Sequence, residues 1–471
     1  MTASRATLPD ALPANLRCPE CTSAFHFVPS PSQPLADGTF GVLSCGEHTF
    51  PVIDSIPVLR SGRIDVQDHL TGRADVAGPS VEELLYRVRV DPLEALVTLL
   101  AFPPSLPFDL ERRPGLRLPL TKGPVARLTA HKRRRLVRGM LRRLGEQCAQ
   151  DWLDLSYLRS RNVDRELHPY FLNRFGQPRY LASLSLTSIL EEDPLPVLDV
   201  ACGFGHVMHH LAIRSRPLST IGVDRNFFQL WVARRFIVPG GHYVCADVSR
   251  PLPFTDDSFS ASLCTDAFHL LDDKQTCFDE MRRCARDRTV VVDRVGNQMV
   301  EPHDGERELD PTGYVGLARD TPWRMVSQTE LVEGYLRCHG PQLARQRDVD
   351  EFSEQKWLSL VITDNTALFR DYGRFERMPH SEGPLGINPI YRTMSSPDGL
   401  RLVFEFPSTW YAFENAESLS YHATAIRLTA DEFETVHSGK RTARTDELVE
   451  KYVLVGMPQR YTRPPVPEQA S

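Results

Sequence analysis

Lysine is scarce in this chain of 471 residues, and its scarcity changes how the charge is interpreted. Only six residues are lysine, which leaves 49 arginines among the 55 basic residues, and the formal net charge is −6. A charge this close to neutral indicates no particular partner. Because the arginine bias runs through the whole chain, a local arginine cluster is weak evidence for nucleic-acid binding on its own.

Long apolar runs are also absent. No segment approaches the roughly 18 apolar residues of a membrane span, and residues 1–15 lack the apolar core of a secretory signal. The ten cysteines stand at uneven spacings, which favours reduced thiols and metal ligands over a disulfide framework. We therefore expect a cytoplasmic protein without a membrane partner.

A glycine turn after a buried strand is the most informative motif. Val197–Val200 is an apolar run around Asp199, and the turn at Gly203 and Gly205 leads into residues at helical spacing. Met208 stands where a dinucleotide site would need a small third residue. The pattern D-x-x-x-G-x-G instead resembles motif I of class I S-adenosylmethionine-dependent methyltransferases.

Later segments extend this resemblance. Asp224 ends the next short strand, and Asp247 and Asp266 follow two more. The segment Pro251–Phe259 resembles a stretch common in the subgroup that contains the ubiquinone-biosynthesis enzymes, although Ser260 stands where that subgroup usually has Asp. The resemblance implies an α/β fold: a Rossmann-like class I methyltransferase sheet with helices on both faces.

The same resemblance implies S-adenosylmethionine as cofactor and assigns its contacts. Asp199 would accept from the methionine ammonium, Asp224 would hold both ribose hydroxyls, and Asp266 would border the reactive methyl. His269 is the candidate general base if the nucleophile arrives protonated. The full cofactor-binding set is Asp199, Ala201, Gly203, Gly205, Asp224, Arg225, Asp247, Val248 and Asp266.

A second constellation lies near the N-terminus. Cys18 and Cys21 form one close pair, and Cys45 and His48 form another after a hairpin-length spacer. Two such pairs supply the four ligands of a structural zinc site. The segment Phe50–Leu59 resembles a small zinc-ribbon family that includes the activator subunit of eukaryotic tRNA methyltransferases, whose fourth ligand is usually Cys. A hairpin that folds without metal is the alternative.

Domain organisation follows from these motifs and from the length, which exceeds a single core. We expect a zinc ribbon at 1–60, a helical region at 61–165, the methyltransferase domain at 166–298 and an α+β region at 299–471. The last region would supply the acceptor pocket, a lid or an oligomer interface, and its segment 348–368 reads as helical. The sequence does not indicate the oligomeric state.

The strongest basic segment is residues 111–145, with twelve Lys or Arg and one acid, Glu111. It is either an RNA-binding surface or a solvated helix face in an arginine-rich chain, and we favour the second.

Three functions stay open. The chain could be a methyltransferase acting on an O, N or C nucleophile of a small molecule, in specialised metabolism; an RNA methyltransferase; or a non-catalytic scaffold of the same fold. The first is preferred. Tyr170 and Arg174, which precede motif I, are candidates for covering the cofactor and acceptor.

Overall fold

The structure is a computed structural model that describes residues 8–64, 78–101, 124–158, 164–191, 193–300, 307–396 and 399–464. The first part of the basic segment, before residue 124, therefore lies outside the described residues. The helices are α1 Val81–Val90, α2 Pro92–Leu100, α3 Pro124–Leu141, α4 Ala149–Leu153, α5 Asp164–Leu172, α6 Pro178–Leu186, α7 His206–Ile213, α8 Phe227–Val232, α9 Lys274–Cys284, α10 Pro311–Leu317, α11 Gln328–Leu336, α12 Thr409–Glu414, α13 Ala430–His437 and α14 Ala443–Glu450.

The strands form four sheets. They are β1 His26–Pro29, β2 Gly41–Ser44, β3 Thr49–Ile53, β4 Ile56–Pro57, β5 Val197–Val200, β6 Thr220–Asp224, β7 His242–Cys245, β8 Ala261–Thr265, β9 Val290–Gly296, β10 Trp323–Ser327, β11 Trp357–Ile362, β12 Leu385–Ile387, β13 Tyr391–Ser396, β14 Gly399–Phe404, β15 Ala425–Thr429 and β16 Leu454–Gly456. None of the described helices combines the length and apolar character that crossing a bilayer requires.

The central sheet has seven strands in the order β10-β11-β9-β8-β5-β6-β7. Strands β5 to β9 run parallel, whereas β11 is antiparallel to both of its neighbours. One apolar core lies on each face of the sheet, and helices such as α6 and α7 on one face and α9 on the other contribute to them. The predicted Rossmann-like α/β sheet with helices on both faces is confirmed.

The sheet continues past residue 298, where the sequence analysis ended the methyltransferase domain. Its last two strands, β10 and β11, come from the region expected to be separate. The helical prediction for 348–368 is wrong, because Leu358, Leu360 and Ile362 alternate along β11 and pack into one core. This period of two marks a strand, and a strand inserted beside β9 is buried on both sides.

The N-terminal strands β1 to β4 form an antiparallel meander that docks on the edge of the central sheet. Val58, just after β4, bridges Cys245 of β7 in parallel, and the Leu59 N–H donates to the Cys245 carbonyl at 2.8 Å. The carboxylate of Asp54 is fully buried and accepts from Trp231 Nε1 and Arg235 Nε, each at 2.7 Å. The meander therefore covers an edge strand that would otherwise be open.

Helices α1 to α3 pack together beside the N-terminal meander. Asp91 caps α2 with its side chain, and Pro92 takes the first helical position. In α3, Arg134 donates to Thr98 Oγ1 at 2.6 Å, and Arg138 pairs with Glu94 at 2.5 Å. Part of the basic face of α3 is thus neutralised within the protein.

The C-terminal part of the chain adds the sheet β13-β14-β15 and the pair β12-β16. These strands enclose a small core of their own with Tyr411 of α12. Helix α12 also packs against α5, which precedes motif I in the chain. This contact brings the C-terminal region to the carboxyl ends of the central strands.

Candidate active site

A cleft of about 470 Å³ lies at the carboxyl ends of the central parallel strands. Its walls come from the segments that follow β5, β6, β7 and β8, from α5 and α6, and from α12. Open α/β sheets bind their ligands at this edge, and the volume is in the range of small-molecule sites. The cleft is therefore the place to look for the predicted cofactor residues.

The turn after β5 has an unusual backbone. Ala201, Gly203 and Gly205 all adopt left-handed conformations, with φ of 57°, 53° and 71°. A Cβ added at Gly203 would also come within 3.3 Å of Gln229 Oε1. Both conditions favour glycine at position 203, and they leave the backbone bare where it faces the cleft.

Asp224 lies directly beside this turn. Its Oδ2 accepts from the Gly203 N–H at 3.0 Å, and its Oδ1 accepts from the Asn226 N–H at 2.8 Å. The side chain is buried, yet it lines the cleft. The two-glycine turn and the aspartate that ends the next strand therefore lie next to each other.

Asp199 lines the cleft, and one of its carboxylate oxygens lacks a hydrogen-bond donor within the described part of the chain. Its side chain is 1% exposed, and Oδ1 has no hydrogen-bond partner among the residues that the structure describes. Burial, together with the nearby charge of Asp224, raises the pKa of Asp199 to about 8. A buried acceptor without a donor is unusual, and it fits a site for an ammonium group.

Of the nine predicted cofactor residues, all except Gly205 line the cleft. Gly205 does not line the cleft, and its contact with the cofactor stays a prediction. A Cβ added at Gly205 would point toward Ala233, Tyr243 and Met208 and would lie 3.5 to 3.6 Å from their side chains. The residue ends the turn and caps α7, so its left-handed backbone serves the entry into the helix.

Asp266 follows β8 and anchors a buried ion cluster. Its carboxylate accepts from Tyr170 Oη at 2.5 Å, from Arg174 Nη1 at 2.9 Å and from Arg294 Nη1 at 2.5 Å. Burial alone would raise the pKa of Asp266, but Arg294, Arg179 and Arg174 together hold it well below its usual value. The residue borders the cleft, and its oxygens are already engaged by these side chains. Its place beside the reactive methyl stays a prediction.

Several residues of this cluster were not recognised in the sequence. Arg179 lies on the buried helix α6, and Arg294 interrupts the valine-rich strand β9 with a φ of 53°. The Arg294 guanidinium stacks on the Trp357 ring at 3.5 Å, and Glu414 of α12 accepts from Arg179 at 3.1 Å. The available signal was a charged residue inside an otherwise apolar strand or helix.

His269 lies in the cleft, one short turn after Asp266. It is buried, and its ring contacts Trp357 edge-on with centroids 5.7 Å apart. This position places it near the acceptor end of the cleft, and its role as a base stays a prediction. His206, His209 and His210 of α7 are also buried, and burial lowers the pKa of each.

The four predicted metal ligands come together in the N-terminal meander. The ligand atoms of Cys18, Cys21, Cys45 and His48 all lie within 4.8 Å of one another. Nδ1 of His48 is 3.6 Å from the Sγ atoms of both Cys18 and Cys45, and the Cys21 and Cys45 sulfurs are 3.6 Å apart. A tetrahedral zinc ion with Zn–S bonds of about 2.3 Å spaces its ligands by about 3.6 to 3.8 Å. The donor set and its spacing therefore fit zinc.

Comparison with known proteins agrees with the fold. Residues 198–292 match a family described as a methyltransferase domain. No curated protein sequence matches this chain.

Many solved structures are similar over part of the chain. An S-adenosylmethionine-dependent methyltransferase from Aquifex aeolicus is 15% identical over 41% of this chain and 97% of its own, with a TM-score of 0.29. The plantazolicin methyltransferase BpumL, solved in complex with a triazolic desmethylPZN analog and S-adenosylhomocysteine, is 12% identical over 46% of this chain and 96% of its own, with a TM-score of 0.31. The cyclase SpnF is 16% identical over 39% and 79%, with a TM-score of 0.28.

These structural similarities carry no functional argument at such scores, so the assignment depends on the family match and on the topology of the sheet. The five parallel strands β5 to β9, the glycine turn and the acidic strand ends lie within or directly beside the matched residues. Residues 198–292 therefore match a methyltransferase domain, and they lie within a sheet of Rossmann-like class I topology.

Proposed function

We propose that this protein transfers a methyl group from S-adenosylmethionine to an O, N or C nucleophile of a small molecule. The observation that carries the proposal is the cleft itself. It combines an unpartnered buried acceptor at Asp199 and the bare turn at Gly203 with walls supplied by Trp357 and Trp410. A cleft closed by side chains from a C-terminal helix favours a small acceptor over a long polymer.

Each part of the cofactor would meet a matching group. S-adenosylmethionine supplies a methyl group already activated on a sulfonium. Asp199 would bind the ammonium, Asp224 the ribose hydroxyls, and Asp247 with Val248 the adenine edge. Because the leaving group is activated, the protein contributes mainly by positioning the reactants and excluding water. His269 would act as a base only for a protonated nucleophile.

The N-terminal meander would hold one structural zinc ion. Four protein ligands leave no open coordination position, which argues against a catalytic metal. The meander pairs with β7, and Asp247 and Val248 follow that strand. Zinc would thus stabilise the edge of the sheet next to the adenine side of the cleft.

Isothermal titration of the full chain with S-adenosylhomocysteine tests the proposal. We expect one site per chain and a loss of affinity of tenfold or more, about 1.4 kcal/mol or above, in Asp224→Ala. Because Asp224 also accepts from the Gly203 backbone, Asp224→Asn should keep the turn and still bind more weakly. Asp256→Ala, which removes an exposed carboxylate outside the cleft, is the matched control. A wild-type protein that does not bind S-adenosylhomocysteine contradicts the proposal.

RNA is the alternative acceptor, and RNA binding by the full chain tests this alternative. Retention of an RNA by the full chain should be weak and should not depend on Arg135 or Arg142, two exposed basic residues that lie within α3 and directly after it. Tight retention that falls steeply with salt and with charge removal at these positions would favour the RNA methyltransferase instead.

A further inference from the structure

The acceptor end of the cleft contains more buried positive than negative charge. Three guanidiniums, of Arg174, Arg179 and Arg294, lie there with two carboxylates, of Asp266 and Glu414. All three arginine side chains are at least nine-tenths buried and line the cleft. Among the paired groups of this cluster that the structure describes, the buried guanidiniums outnumber the carboxylates by one.

Two further acids lie near the cluster. Asp293 is fully buried, and its carboxylate accepts from Ser183 Oγ at 2.5 Å and Ser359 Oγ at 2.7 Å. Burial raises the pKa of Asp293, and it also raises that of Glu417, where the charges of Arg294 and Arg179 act in the opposite direction. Burial and the charge of Arg179 together lower the pKa of Arg294. A buried cation in this situation is stabilised by an incoming anion.

The sheet order separates this cluster from the nucleotide end of the cleft. Arg294 and Trp357 belong to β9 and β11, whereas Asp224 and Asp247 belong to β6 and the end of β7. Strands β8 and β5 lie between the two groups. The arginine cluster is therefore on the side away from the adenine and ribose positions.

Aromatic side chains surround the arginines. Trp357 stacks under Arg294, the Tyr170 ring lies 5.1 Å from the Arg179 guanidinium carbon, and Trp410 of α12 forms a further wall. Flat aromatic walls favour a flat ligand, and guanidinium groups recognise carboxylates through paired N–H donors.

We propose that the methyl acceptor is a small aromatic molecule that carries a carboxylate, bound by Arg174, Arg179 and Arg294. This inference rests on the proposed function, because it assigns the acceptor half of the same cleft. The carboxylate compensates the excess charge, and the ring packs between Trp357 and Trp410. Glu414, which joins Arg179 and Arg294, fixes the two guanidiniums in place.

The test uses the full chain saturated with S-adenosylhomocysteine and two probes of nearly equal shape, benzoate and benzamide. Calorimetry should show saturable benzoate binding that is about tenfold tighter than benzamide binding, as expected for a charge-assisted pair. Arg179→Met should weaken benzoate binding by about tenfold, and Arg179→Lys should restore part of the loss because it returns the charge without the fork.

Arg282→Met is the matched control, since Arg282 is equally buried but pairs with Asp320 outside the cleft. It should leave benzoate binding unchanged. Equal binding of benzoate and benzamide, or no benzoate binding, overturns the inference while S-adenosylhomocysteine binding upholds the proposed function. An Arg179→Met protein that loses S-adenosylhomocysteine affinity but keeps benzoate affinity also overturns it, because the arginine would then serve the cofactor. A wild-type chain that fails to bind S-adenosylhomocysteine overturns both.

Discussion

The carboxylate of Asp224 accepts a hydrogen bond from the backbone N–H of Gly203 at 3.0 Å. This contact joins the end of one strand to the turn that follows its neighbour, and it fixes the two groups that would hold the cofactor's ribose and methionine. The same contact explains why the turn tolerates a left-handed backbone at Gly203, since the bend is stabilised by a buried charged acceptor.

Replacing Gly203 with alanine should therefore weaken cofactor binding. The left-handed φ of 53° and the 3.3 Å approach to Gln229 both oppose a Cβ at this position. We expect the affinity for S-adenosylhomocysteine to fall by about tenfold, from about 1 to 2 kcal/mol of strain. Gly240→Ala is the control, because a Cβ there meets nothing within 4 Å. Titration calorimetry measures the affinity of both variants. An equal loss of affinity in the two would contradict this account of the turn.

The pKa of Asp199 gives a pH dependence with a definite sign. Burial and Asp224 raise it from an ordinary value of 3.8 to about 8, so the folded protein without cofactor holds a proton there at neutral pH. Because the folded state binds more protons than the unfolded one in this window, the free energy of unfolding should fall as pH rises from 3.8 to 8. Above pH 8 this contribution is constant. Asp199→Asn should remove the slope in urea unfolding measured across these pH values.

Cofactor binding should release that proton. An ammonium group beside Asp199 favours the ionised carboxylate, so S-adenosylhomocysteine binding near pH 7 should expel about one proton. Titrations in buffers of different ionisation enthalpy measure this number. Asp199→Asn should release none from this site, and an unchanged value in that variant would contradict the assignment.

Zinc content tests the N-terminal cluster. The purified chain should contain about one zinc ion per molecule, and Cys18→Ser should lose it, because three ligands hold the ion much more weakly. Cys338→Ser, at a thiol outside the cluster, should keep the metal. Elemental analysis decides between these outcomes, and a folded wild-type protein without zinc would show that the hairpin needs no metal.

The docking of the meander depends on a buried ion pair. Asp54 is fully buried against Arg235, so Asp54→Asn leaves a guanidinium partly unpaired and should lower the free energy of unfolding by about 3 to 5 kcal/mol. Asp37 pairs with the same arginine, but its side chain is 75% exposed. Asp37→Asn should therefore lower it by no more than about 1 kcal/mol. Chemical denaturation of both variants measures the difference, and equal effects would contradict the importance of burial.

The parts of the fold that could be predicted are those encoded by short sequence motifs. The strand, turn and helix around Gly203 form a short motif with a direct physical cause, and the structure has it. Strand β11 was misread because its alternation extends over only six residues, and a short run buried on both faces does not distinguish a strand from a buried helix. Its burial depends on β9, which lies about sixty residues earlier in the chain.

The arginine cluster could not be predicted for a related reason. Asp266 meets Arg174 across 92 residues and Arg294 across 28, so no sequence window contains the ion cluster. Arg294 was the available clue, as a cation inside a valine-rich strand. Such a residue must find a buried partner, but the sequence does not say which one.

The central claim is that Asp199 binds the amino group of the cofactor's methionine part. Its most direct test compares S-adenosylhomocysteine with methylthioadenosine, which lacks that part, in the wild-type protein and in Asp199→Asn. The account predicts that the wild type binds S-adenosylhomocysteine much more tightly and that this preference falls by about tenfold or more in the variant. An equal preference in both proteins would contradict it.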